Sequence, residues 1–318
     1  MGRSGLKLSE ISLGAWITLG SQIEDRTASA ILHRAYELGV NFFDNADVYA
    51  GGEAEVVMGK AIADLPRESL VISSKVFWQS FEGVNGRGLS RKHILESCNA
   101  SLRRLGMDYL DLYFCHRYDP ETPLEEVVRA MDDLVHQGKV LYWGTSEWDA
   151  GQIADAFGIA GQSGLYAPAV EQPHYNMFVR QRVEDELTPA AKEFGFGMVT
   201  WSPLRSGLLS GKYNNENPSH ARLSLEKYSF LHEILTEENL EKVRQLSGIA
   251  EELGMSMAQL AIGWLLRIPQ VTSVITGATR VEQLEQNVGA IELNESFSQE
   301  VLHRIDSILG NDLVPEAE

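Results

Sequence analysis

The chain has 318 residues, 44% hydrophobic and 23% charged, with 28 Gly and 10 Pro, which excludes a collagen, low-complexity disorder and a disulfide mini-scaffold. Against 45 Asp and Glu stand 27 Lys and Arg, a formal charge of -18, so the net field repels nucleic-acid phosphates and anionic lipid. Any phosphate the protein holds must be gripped locally. Two cysteines without CxxC or Cys/His spacing make neither a disulfide framework nor a zinc site, so a reducing, cytoplasmic setting and no metal are expected. No apolar run approaches the roughly 18 residues of a membrane span, and Met1 to Leu6 lacks the apolar stretch of a signal peptide; no membrane insertion is expected.

In chain order, a weak β run near Ile11 is followed by clearer ones near Asn41, Leu70, Tyr109, Val140, Ala169, Met198 and Thr272. Amphipathic segments between them stop at Gly39, Gly106, Gly138 and Gly195, where a left-handed residue lets the chain turn back. Helix starts are read from Thr122-Pro123-Leu124-Glu125, from Ser256 with Gln259, and from Thr279 with Glu282, all at capping-box spacing. Runs such as Leu70-Val71-Ile72 and Val274-Ile275 are apolar on both faces, as parallel strands covered on both sides must be. Strand and helix alternate at roughly 30 residues per unit, the length of a βαβ element. About eight units fit an α/β fold of the (β/α)8 TIM-barrel type, with a short N-terminal β element, a long loop from Ser210 to Glu237, an extra C-terminal helix from Ser298 to Leu309 and a frayed tail over 311–318. Residues 1–318 are expected to form one domain. A doubly wound sheet would need GxGxxG after its first strand, which is absent; Gly83, Gly86 and Gly88 read as a flexible connection.

Active sites of such barrels gather at the C-terminal mouth, so the strand ends are where chemistry belongs. They carry Asp44, Lys75, His116, Ser146 and Gln172. Singly, Asp44 can cap a turn, Lys75 can be a solvated strand end and His116 a hydrogen-bonded rim residue. Together they specify a reaction. Tyr49 follows one short loop after Asp44, and an ammonium at Lys75, held by Asp44, would lower the phenol's pKa by stabilising phenolate. A neutral His116 would orient a carbonyl oxygen. A carbonyl given a proton must also receive a hydride, which no side chain supplies and a nicotinamide cofactor does. Trp201 offers an aromatic face for a flat ring, or else belongs to the core. A metal-dependent hydrolase built on Asp44 and His116 is disfavoured by the lack of accompanying ligands at metal spacing.

Phe43-Asp44-Asn45-Ala46-Asp47-Val48-Tyr49, Gly138 through Trp148 and Trp201-Ser202-Pro203-Leu204 resemble the aldo-keto reductase superfamily, in particular the group containing potassium-channel beta subunits and their microbial and plant relatives. The likeness runs from about Gly5 to Gly310, including Gly88 through Ile94 and Ile305 through Gly310. It implies a barrel that binds NADPH (NADP+) extended and reduces small aldehydes or ketones by transfer of the pro-R hydride, with a tetrad of Asp44, Tyr49, Lys75 and His116. It also implies cofactor contacts at Trp16, Gln22, Ser146 and Gln172, with Trp201 as the nicotinamide platform. Ser202, Pro203, Leu204 and Gly207 would form the pyrophosphate loop, Lys212 and Arg222 the cations near the adenosine phosphates, and Gly277, Thr279, Gln283, Gln286 and Asn287 the adenine end. Arg280, at the start of a helix, is a candidate for the 2'-phosphate or a solvated surface residue. The chain departs from the channel subunits at His116, where they have Asn, at Glu147, where they have Arg, at His220 in place of Tyr and at Gln286 in place of Glu. The alternative function is a redox-sensing subunit that holds the cofactor and regulates a partner; a homo-oligomer stays open.

Overall fold

The computed structural model describes residues 1–215, 223, 226 and 232–310. Eight parallel strands close into a barrel in sequence order: β1 Ile11–Gly14, β2 Phe42–Asp44, β3 Val71–Val76, β4 Leu110–Cys115, β5 Val140–Ser146, β6 Val170–Gln172, β7 Gly197–Thr200 and β8 Val271–Thr276, with β8 pairing back onto β1. The weak run near Ile11 is thus a stave of the barrel itself. Helices follow the strands: α1 Asp25–Glu37, α2 Glu53–Ala61, α3 Arg91–Leu105, α4 Leu124–His136, α5 Ala150–Ser163 and α6 Thr188–Phe194, then α7 Glu237–Glu252 and α8 Met257–Leu266 before β8, and α9 Val281–Val288 and α10 Gln299–Leu309 after it.

The four glycines read as helix stops all have positive φ, from 68° at Gly106 to 85° at Gly195. Two of the three helix starts differ from the expectation. The Ser256/Gln259 capping box forms, but α4 begins on Pro123 without a side-chain cap, because Thr122 Oγ1 donates to Asp119 Oδ2 instead. At α9 the cap position falls on Arg280, and Thr279 donates from both its N and Oγ1 to Gln283 Oε1 rather than engaging Glu282. A reciprocal box at Asp149 and Gln152 opens α5. The extra C-terminal helix is present as α10, and α7 is a second addition outside the eightfold alternation. These two pack together, with Arg304 of α10 bridging Glu252 of α7 at 2.7 Å. The long connection between β7 and α7 lies partly outside the described residues, as do Arg222, His220 and the tail 311–318.

The period-2 alternation of β-strands decides what fills the barrel. Phe42, Val71, Leu112, Phe114, Val170, Val199 and Ile275 pack together in the interior, with Met1 beneath them. Space there is tight: a Cβ on Gly144 would come within 2.4 Å of the Val170 carbonyl oxygen, so only glycine fits. Continuing each inward row by two residues replaces apolar side chains by polar ones, Phe42 by Asp44, Val71 by Ser73 and Lys75, Phe114 by His116, and Val170 by Gln172. The barrel is therefore plugged by hydrocarbon below and lined by ionisable groups at its mouth.

Candidate active site

Five neighbouring strands, β2 to β6, deliver the central cluster. The β3/β4 register sets Lys75 beside Phe114, and Ser146 of β5 pairs with Gln172 of β6. Lys75 is fully buried and spends all three ammonium protons on named partners: Asp44 Oδ2 at 2.6 Å, the Asn45 carbonyl oxygen at 2.8 Å and Tyr49 Oη at 3.2 Å. The other Asp44 oxygen accepts from Ser73 Oγ at 2.8 Å and Gln172 Nε2 at 3.0 Å. His116 meets the Tyr49 ring edge-on at 5.9 Å between centroids. The four side chains of the expected tetrad therefore surround one point at the mouth. Asn45, Ser73 and Gln172 complete its wiring, and of these only Gln172 was singled out from sequence. The inward alternation from Lys75 was the available signal for Ser73.

Burial sets the protonation states. At His116 desolvation, followed by the positive charges of Lys75 and Arg117, pushes the pKa well below the usual imidazole value, so the ring is neutral at physiological pH. Desolvation opposes the Lys75 charge, yet Asp44 and Tyr49 together hold its pKa above the ordinary lysine value. Tyr49 corrects the sequence expectation. Burial raises its pKa by more than Lys75 lowers it, so the net shift is upward and the phenol rests in its protonated, proton-donating form.

The ring of Trp201 is covered on one face by His174, stacked at 4.3 Å and 19°, and met by Trp16 in a perpendicular contact at 6.0 Å. Glu147 holds it in place. This carboxylate, on a left-handed residue (φ 60°), accepts from Trp201 Nε1 at 2.9 Å, from the His174 backbone N–H and from Arg182. The residue that replaces the relatives' Arg is thus the clamp that orients the indole.

The remaining positions spread along the rim. Ser146 Oγ donates to the Gln172 carbonyl oxygen at 3.0 Å. Gln22, after β1, has a buried Oε1 with no hydrogen-bond partner among the described residues. In the loop after Trp201, Ser202, Arg205, Ser206 and Gly207 all adopt positive φ, and a Cβ on Gly207 would meet Lys212 Nζ at 2.6 Å. Pro203 is buried under this loop and Leu204 half-buried. Beyond β8, Gly277 and Arg280 are exposed, Thr279 and Gln283 bond each other, Gln286 is exposed on α9 and Asn287 is buried. The orphaned Gln22 oxygen and the left-handed loop with a lysine against its glycine suit an extended dinucleotide: amide acceptors at one end, a cationic cradle in the middle. Arg117 and Arg205, two half-buried cations on this rim, were not singled out from sequence, where nothing but adjacency to His116 and Leu204 marks them.

On the outer face of β6, Glu171 is fully buried beside Glu147's strand end, accepting from Thr145 Oγ1 at 2.5 Å and Trp148 N at 3.3 Å. Desolvation pushes its pKa up to about 8. A carboxyl that ionises near 4.5 when unfolded and near 8 when folded makes the folded state bind the extra proton, so stability falls as pH rises between those values and levels above. Wild-type stability in urea is expected to decline from pH 5 to 8 by up to about 1 kcal/mol per pH unit, and E171Q to flatten that decline. An unchanged slope in E171Q would refute the assignment.

Known proteins resemble this chain over nearly its whole length. The sequence profile of the Aldo/keto reductase family matches residues 10–310. The chain is 50% identical to a probable voltage-gated potassium channel subunit beta of Arabidopsis thaliana, over 97% of this chain and 95% of that one. It is 48% identical to the protein of the same name from Oryza sativa subsp. japonica, with the same coverage, and 46% identical to a putative voltage-gated potassium channel subunit beta of Schizosaccharomyces pombe, over 97% of this chain and 92% of that one.

Proposed function

Since the chain belongs to the aldo/keto reductase family and is an NAD(P)H-dependent oxidoreductase, we propose that it reduces small aldehydes or ketones to alcohols with NADPH, using Tyr49 as general acid. The observation that carries this reading is the Lys75 ammonium bonded at once to Asp44 and to the Tyr49 oxygen, beside a neutral imidazole. When bound, the nicotinamide supplies the hydride that the carbonyl carbon accepts. Because Lys75 donates to the phenolic oxygen, the Tyr49 proton is left to point at a substrate carbonyl oxygen. Transfer of that proton leaves phenolate, which the adjacent ammonium stabilises, while Asp44 keeps the ammonium charged and in place. His116 offers a neutral N–H to the same oxygen without competing for its proton. Trp201, held by Glu147, is the surface against which a flat ring lies, with Ser146 and the free carbonyl end of Gln172 for its amide group.

The test is consumption of NADPH across small aldehydes, ketones and dicarbonyls, with NADH in parallel. Multiple turnover is expected, and its absence across the panel would overturn the proposal. K212A should raise the Kd for NADPH more than that for NADH, because the family resemblance puts Lys212 near the adenosine phosphates, where only NADPH carries the 2'-phosphate; Arg222, outside the described residues, should behave alike. Equal losses for both cofactors would remove Lys212 from the 2'-phosphate. The relatives' names, which are those of potassium channel subunits, fit one part of a second reading, the partner protein; that reading is a cofactor-holding redox sensor that regulates such a partner. One stoichiometric oxidation that then stops would favour it over a reductase. Cys98 and Cys115 are both free and buried, which supports a reducing, cytoplasmic setting. Among the described residues no helix is long and apolar enough to cross a membrane.

A further inference from the structure

Arg117 is the residue at the mouth that the proposed mechanism leaves without a task. It is half-buried and directly follows His116, and its charge is felt at Tyr49, His116 and His174. Its guanidinium lies over the Trp78 ring, 5.7 Å from the centroid. One nitrogen, Nη1, donates to the His116 carbonyl oxygen and, at 3.5 Å, to Ser146 Oγ; Nε and Nη2 have no hydrogen bond among the described residues.

It also lacks a counter-ion among the described residues. In a chain with 45 acidic residues, the other partly buried arginines among the described residues find carboxylates: Arg34 with Glu285, Arg67 with Asp111, Arg104 with Glu55, Arg180 and Arg267 with Glu184, Arg182 with Glu147, Arg244 with Glu237 and Arg304 with Glu252. Among the described residues the two without one are Arg117 and Arg205. Arg205 belongs to the left-handed loop after Trp201, where a cofactor phosphate accounts for a bare cation. Arg117 directly follows His116 and reaches Ser146 and the Trp78 ring, which places its charge among the groups around the carbonyl oxygen. Half-burying an unpaired guanidinium is costly, so its retention at the reacting centre calls for an anion that arrives with the substrate.

Building on the reductase reading, we propose that the favoured substrates are short oxo acids, carbonyl compounds whose own carboxylate is gripped by Arg117. One unpaired guanidinium matches one negative charge, and the planar fork still offers the adjacent Nε and Nη2 donors that a carboxylate takes side by side. A phosphate dianion would call for a second buried cation; Lys75 is fully engaged with Asp44, Asn45 and Tyr49, and Arg87, the other guanidinium over the Trp78 ring at 5.4 Å, is exposed to solvent. Trp78, partly buried and packed edge-to-face on Phe77 at 5.0 Å, walls the same space with hydrocarbon for the short chain between the two polar ends. Its loop is pinned by Gly88 N donating to the Phe77 carbonyl oxygen at 2.8 Å.

The experiment compares 4-oxobutanoate with butanal, equal in carbon number and differing in charge, in wild type, R117Q and R117K with NADPH. Wild type is expected to show a higher kcat/KM for the oxo acid. In R117Q the oxo-acid to butanal ratio should fall about tenfold to a hundredfold, mainly through KM, as loss of a charge-assisted hydrogen bond implies, with partial recovery in R117K. A wild type that does not prefer the oxo acid, or a ratio unmoved in folded R117Q, would overturn the inference. A readout independent of turnover is quenching of tryptophan fluorescence by butanoate. Saturable quenching in wild type that is lost in R117Q supports the anion site even if no carbonyl is reduced, in which case the reductase reading fails alone; no quenching in wild type sinks the anion site.

Discussion

Replacing Tyr49 by Phe is expected to lower kcat by about a hundredfold to ten-thousandfold, the usual contribution of a positioned general acid, while the Kd for NADPH stays within a factor of two. The asymmetry follows from the hydrogen bonds. Phe keeps the ring against His116 and removes only the oxygen that Lys75 reaches at 3.2 Å, so Lys75 retains Asp44 and Asn45 and the wall of the site stands. Titrating the variant with NADPH by fluorescence separates the two effects. Full turnover in Y49F would remove the phenol from the mechanism, and the proton would then have to come from His116.

Lys75 should show a second large effect, on stability as well as rate. With Lys75 fully buried and Asp44 only 3% exposed, K75M would leave a carboxylate in the barrel with Ser73 and Gln172 as its remaining donors. Breaking a buried pair from one side costs about 3–5 kcal/mol, whereas neutralising both sides is far milder. K75M should therefore unfold at markedly lower urea concentration with an unchanged m-value, and the D44N/K75M double variant should regain most of that loss while remaining inactive. A double variant no more stable than K75M would show that the penalty is packing and not charge. The sign of the pH dependence follows from the raised Lys75 pKa. Its contribution to stability is complete below the ordinary lysine value near 10.5 and is lost as pH climbs through the higher folded value.

Asp47 illustrates how closely the tetrad is hemmed in by groups it does not use. It lies between Asp44 and Tyr49, is 2% exposed, and is held only weakly, by the Ser97 side chain and the Val48 backbone N–H. Desolvation, reinforced by nearby Glu55, pushes its pKa up to about 7, although Arg104 pulls the other way. Glu55 itself is secured by Ser74 at 2.5 Å and Arg104 at 2.6 Å. The loop that presents Tyr49 is thus anchored on one side by the Lys75 cluster, with a second acidic cluster beneath it.

What could be read along the chain was whatever is encoded locally. Glycines that stop helices, strands apolar on both faces and a polar residue two places beyond the last apolar one are consequences of φ/ψ geometry and of the two-residue pleat, and both act over a few positions. That was enough for the barrel and for the polar strand ends at its mouth, though not for Asn45, Ser73, Arg117 or Arg205 beside them. The tertiary structure decided the rest, because those properties depend on groups far apart in the chain. Gln172 reaches Asp44 across 128 positions. Whether Tyr49 is made more or less acidic is a contest between burial and one ammonium, and burial exists only once the barrel has closed. Thr122 and Thr279 have capping spacing but found other partners in Asp119 and Gln283. Glu147 became the support of Trp201, and Arg117 was left without a carboxylate, because Coulomb and hydrogen-bond energies are set by distance in space, which residue order does not state.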